Sequence, residues 1–106
     1  MTIAIVYAVF ADIDEAKRIG RTLVEERLVA CINILGPCTS IYWWEGKVEQ
    51  SDECPAILKT TLDMADALIA RLAELHSYEV PAITVWPAER AHPAFAEWVK
   101  SQLRVT

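Results

Sequence analysis

The sequence predicts an α+β domain of order β-α-β-β-α-β with a short C-terminal helix, and three observations predict it. Residues 3 to 10, IAIVYAVF, are continuously apolar and rich in β-branched and aromatic types, the pattern of a central strand buried on both faces. Two stretches further on, 16 to 28 and 62 to 75, carry apolar residues at helical spacing. Between them, a long run of strand-forming residues turns back on itself at Glu45-Gly46-Lys47. That order is the ferredoxin-like split βαβ sandwich, with a long hairpin joining its second and third strands. Right-handed crossovers then place both main helices on one face of a four-stranded sheet.

Each element has its own signal. After the first strand, Asp12 offers an N-cap, with Glu15 three residues on as in a capping box. Ala16, Ile19, Leu23, Val24 and Leu28 form one face of the first helix; Lys17, Arg18, Arg21, Glu25 and Glu26 form the other. VACINIL reads as a strand, and Gly36-Pro37 interrupts it, because proline has no N–H for the ladder. The strand resumes as TSIYWW, turns, and returns through polar VEQSDE into apolar PAILKTT. Leu62, Ala65, Leu68, Ile69, Leu72 and Leu75 mark the second helix, with Asp63 as its expected cap. AITVWP is a short strand ended by Pro87. HPAFAEWVKSQLR is a final helix with Pro93 at its first position and Phe95, Trp98, Val99 and Leu103 on one face.

The totals are consistent with one domain over residues 1–106. A net charge of −5 argues against a nucleic-acid or anionic-membrane partner, since phosphates call for clustered Lys and Arg. The apolar N-terminal run ends at Asp12, too short to span a bilayer. Three cysteines, Cys31, Cys38 and Cys54, with no C-x-x-C, make a disulfide framework unexpected and point to the cytoplasm.

Trp43 and Trp44 are adjacent on a strand, so they point to opposite faces. One can pack on the home sheet; the other needs a different cover. The sheet face away from the helices is also expected to be apolar, through Tyr7, Ile34, Ile57 and Val85. A bare apolar face on so small a domain calls for a partner, and the expected partner is another copy of the chain. Ile41, Trp43 and Trp44 are the expected interface residues. The competing reading is a surface pair or a small-molecule stacking site.

Four stretches in register, LVEERLVACINI, SIYWWEGKVEQSDE, ILKTT and LHSYEVPAI, resemble the CutA family of divalent-cation-tolerance proteins, and the likeness runs over about residues 3 to 104. The resemblance implies the ferredoxin-like fold, a tight homotrimer in which hairpins wrap neighbouring subunits, and an architecture similar to PII signalling proteins. It implies a link to copper and other divalent metals, with no established enzymatic activity. The family's bacterial copper pattern uses a Cys near the end of the first strand and one or two His after the second helix. Here those positions fall at Tyr7 or Ala8, and at Leu75 and His76, so one ligand of three survives.

His76 has two readings, a metal ligand with Glu79 as a partner, for copper or another divalent cation, or a cap on the second helix's C-terminus. His92, at the start of the last helix, reads as incidental. No zinc-type spacing is present. Tyr42, Trp44, Lys59, Tyr78 and Glu79 are the candidates for a ligand cleft. Lys59 sits in a strand headed for the core and needs a partner, for which Glu79 is the natural choice. That pair would orient a small ligand or serve as an interface salt bridge. An enzyme is not expected: the phosphate-binding hydrolases of this fold need an anion cradle with Arg beside the first strand, and VFADIDEA supplies acids instead.

Overall fold

A computed structural model of the chain describes residues 1–105. The elements run β1 (Ile3–Phe10), α1 (Ile13–Glu25), β2 (Cys31–Ile34), β3 (Cys38–Trp44), β4 (Lys47–Thr61), α2 (Leu62–Leu75), β5 (Ile83–Pro87) and α3 (Pro93–Gln102). The sheet order is β2-β4-β1-β5, with β3 pairing β4 outside that path. The fold is the expected α+β, ferredoxin-like one. What reads in sequence as one interrupted strand is two, β2 and β3, because Gly36 adopts φ +95° and breaks the run. Both pair antiparallel with the single 15-residue β4.

β1 is central, flanked antiparallel by β4 and β5. Its even residues Val6, Ala8 and Phe10 join Ala56 and Leu58 of β4 under both helices, against Ala16, Ile19 and Leu23 of α1 and Met64, Leu68 and Leu72 of α2. Asp12 caps α1, its Oδ1 accepting from the Glu15 N–H at 2.8 Å. The helix ends in a Schellman turn with Arg27 at φ 59° and N–H bonds from Leu28 to the Leu23 carbonyl and from Arg27 to the Val24 carbonyl. α2 is capped differently from expectation: Thr61 holds the N-cap position without a side-chain bond, and Asp63 lies inside the first turn. His92 is not incidental, since its Nδ1 accepts from the Ala94 N–H and caps α3.

Two members of the expected open face lie on the other side. Val85 pairs with Val6 and Ile34 with Ala56, and cross-strand partners share a face, so both pack into the helix-side core. Tyr7 and Ile57, paired with each other, stay on the open face beside Asn33 and Thr84. That face is not wholly bare: Val99 of α3 is buried with Ile3 and Ala30, and Ile5 and Ala96 pack against them. Phe95 and Trp98 are left exposed, stacked on each other with ring centroids 5.9 Å apart.

Beyond the sheet, β3 and the first half of β4 project as a two-stranded arm closed by Glu45 and Gly46, both at positive φ as a two-residue hairpin turn requires. Residues 41 to 50 are all exposed. The molecule measures 44 Å in length against 25 and 22 Å across.

Candidate functional site

The two faces of the arm differ. Pairing register puts Thr39, Ile41 and Trp43 with Val48, Gln50 and Asp52 on an outer face. Ser40, Tyr42 and Trp44 with Lys47, Glu49, Ser51 and Glu53 form the inner face. The outer face is uncovered, with Trp43 at 74%, Ile41 at 67% and Val48 at 59% of full exposure. Neither tryptophan reaches the core of its own chain.

The inner face bounds a cleft of about 770 Å³. Tyr42, Trp44, Ser51 and Glu53 form one wall; Ser77, Tyr78, Glu79 and Val80, the loop after α2, form the other, with Val9 and Ala82 at the back. The Tyr78 hydroxyl donates to Glu53 Oε2 at 2.6 Å and ties the walls together. Burial, then the adjoining Glu53 carboxylate, pushes the Tyr78 phenol well above its usual range, so it remains a donor. On the hairpin, Tyr42 and Ser51 hydroxyls bond at 3.1 Å.

His76 fixes the second wall. It follows α2, its N–H bonded to the Leu72 carbonyl, and its ring is buried between Phe10, at 5.3 Å, and Tyr78, at 4.8 Å. Nδ1 accepts from the Tyr78 N–H at 3.0 Å. The ring proton therefore sits on Nε2, which donates to the Val9 carbonyl at 2.8 Å. The end of β1 and the end of α2 do meet, as the copper pattern requires, and they meet through a backbone carbonyl. Tyr7 is half-buried on the open face, Ala8 is in the core, and Leu75 packs against that core. Glu79 is exposed on the cleft wall. Among the described residues no three His, Cys, Asp or Glu side chains gather. These donors do not fit a preformed copper site within one chain.

Tyr42, Trp44, Tyr78 and Glu79 line the same cleft. Lys59 is not among them. It lies on the open sheet face, where Nζ donates to Asn33 Oδ1, and it makes no pair with Glu79 inside the chain. Sequence reasoning missed Glu53 and the bond that Glu15 accepts from the Ser77 N–H. Glu53 was legible only through register, being the partner of Cys38 on the same hairpin face as Tyr42.

Glu15 does more than complete a cap. It is buried; Oε1 accepts from the Ala11 N–H at 3.0 Å and Oε2 from the Ser77 N–H at 3.1 Å. Burial pushes its carboxyl up, and the bonds from Ala11 and Ser77 with the nearby His76 outweigh that, leaving it below its ordinary 4.5. A depressed folded value means that the stabilisation is present above about pH 4.5 and is lost as pH falls through the folded value. Glu15→Gln, which keeps one acceptor and loses the other, should cost about 1–3 kcal/mol at neutral pH. It should also flatten the acid limb of stability against pH in urea melts.

The model of the family described as CutA1 divalent ion tolerance protein matches residues 4–102. A divalent-cation tolerance protein CutA from Pyrococcus horikoshii is 42% identical over 95 residues, 90% of this chain and 92% of that one. Among solved structures, CutA1 from Oryza sativa superposes with a TM-score of 0.96 at 32% identity, covering 100% of this chain and 97% of that one. A protein from Archaeoglobus fulgidus, described as a periplasmic divalent cation tolerance protein, superposes at 0.92 with 33% identity, covering 96% and 99%. The chain spans about half the length of some curated relatives, 56% of a chloroplastic rice protein and 48% of a mouse one.

Proposed function

The chain belongs to the CutA1 divalent ion tolerance family, and on that premise we propose that it acts in the cytoplasm as a homotrimer, binding copper or another divalent ion weakly in metal homeostasis. The observation that carries the assembly is the outer face of the arm. Ile41, Trp43 and Val48 form a contiguous apolar strip on a projection that the chain's own helices do not reach. An uncovered strip of that kind is an interface waiting for its partner. Three copies is the number that the family resemblance implies. The family is not known as one of enzymes, and no catalytic step is part of this reading.

The donor set supports weak rather than tight metal binding. His76 spends both ring nitrogens inside the fold, and Glu79 is a lone exposed carboxylate. Light scattering at micromolar concentration should give the mass of three chains; a monomer would refute the assembly. Metal-free protein titrated with Cu(II) and Cu(I) against a chelator of known affinity should lose the contest. Copper held at a fixed ratio per particle would overturn the claim of weakness.

A second reading is favoured by the cleft of about 770 Å³, a size in the range of small-molecule sites. In it the protein is a PII-like sensor or adaptor that takes a small molecule, or a protein partner, at clefts between copies.

A further inference from the structure

The cleft between the hairpin and the loop after α2 has a definite chemistry. Its polar side chains include two carboxylates, Glu53 and Glu79, and it is lined by no Lys, Arg or His. Three aromatic rings, Tyr42, Trp44 and Tyr78, face the same space. Glu53 uses Oε2 to accept from Tyr78. Its Oε1 has no partner, and no buried side-chain oxygen among the described residues lacks one, so Oε1 is open to solvent on a residue that lines the cleft.

Resting on the cleft reading above, we propose that the ligand is a small organic cation, an amine or quaternary ammonium, held by the aromatic rings and the Glu53 and Glu79 carboxylates. Aromatic faces attract a cation through their ring quadrupoles, and the attraction grows when water is excluded. The carboxylates supply the counter-charge, while the Tyr78 hydroxyl holds Glu53 in place. A phosphate or carboxylate ligand would meet the like charge of Glu53 and Glu79, with no cation among the lining residues to offset it. A bare divalent ion would find two carboxylates without a third anionic or imidazole donor, and would gain nothing from the three rings. An organic cation uses every feature of the lining at once.

The test uses the intact protein and a pair of probes of the same shape. Choline carries the charge; 3,3-dimethylbutan-1-ol replaces its nitrogen by carbon. Titration calorimetry, checked by quenching of tryptophan fluorescence, should show choline binding at least about tenfold tighter than the alcohol. Glu53→Gln should remove most of that difference while leaving the alcohol unchanged, with circular dichroism confirming that the variant folds. Equal binding of the two probes would overturn the cation assignment and leave the cleft reading standing. Binding of neither would likewise overturn the cation assignment. Because the probe comparison is made on the unaltered protein, a variant that fails to fold does not blunt it.

Discussion

Trp43→Ala is expected to weaken the assembly by about 2–5 kcal/mol per subunit, the range for truncating a buried aromatic. A tryptophan side chain buries roughly 150–250 Å² when covered, and Trp43 offers 74% of its surface. At about 25 cal/mol per Å² of apolar area, covering it is worth on the order of 3–5 kcal/mol. Its cross-strand partner Val48 and its neighbour Ile41 on the same face are similarly open, so the ring would sit inside an apolar patch rather than at a rim. A dilution series followed by light scattering reads the effect directly, since an assembly's stability depends on protomer concentration. The Val48→Ala variant should shift the same curve by about 1 kcal/mol, in proportion to the smaller side chain. If Trp43→Ala dissociates at the concentration of the parent, the outer face is solvated and the contact lies elsewhere.

The two adjacent tryptophans mark where a sequence is most legible. Neighbours on a strand must part, and Trp43 and Trp44 do. Continuous apolar runs locate a central strand because no other position keeps both faces of a strand dry; β1 is that strand. The phase between strands is a different matter. Alternation within PAILKTT or AITVWP says that residues take turns, but only the ladder says which residue faces the helices. For that reason Val85 and Ile34, expected on the open face, lie on the helix side. The same limit put Lys59 in a cleft it does not line. Its partner, Asn33, sits two ladder positions from Cys31, its direct opposite on β2, a diagonal neighbour that only register can name.

Caps were legible where a short polar residue precedes a helical stripe and less so where the backbone does the work. Asp12 met the expectation because its side chain reaches the Glu15 N–H. Asp63 did not, because β4 runs directly into α2 and Leu62 anchors its own N–H on the Thr2 carbonyl. Glu15 was visible as a capping residue. Its second oxygen, holding Ser77 at 62 positions' remove, has no local signature, since long-range bonds to backbone N–H leave no spacing to read.

His76→Ala is expected to cost about 3–5 kcal/mol of stability, from the lost ring and from two polar groups stranded by its removal. The Val9 carbonyl and the Tyr78 N–H each have their partner in this imidazole, and the ring fills the space between Phe10 and Tyr78. Guanidinium unfolding at fixed protein concentration measures the loss. His76→Phe separates its parts, since it restores most of the ring volume and neither hydrogen bond; it should recover less than about half of the deficit. Copper competition on the same variants distinguishes the two roles open to this residue. A structural His76 predicts large stability losses with copper affinity unchanged. A ligand predicts the reverse, because a ring free to leave its bonds for a metal would be one the fold could spare. The loop it anchors, Ser77 to Val80, is also a wall of the cleft. Loosening that wall should therefore weaken choline binding in step with stability across the two variants, although His76 itself is buried beneath the cleft surface.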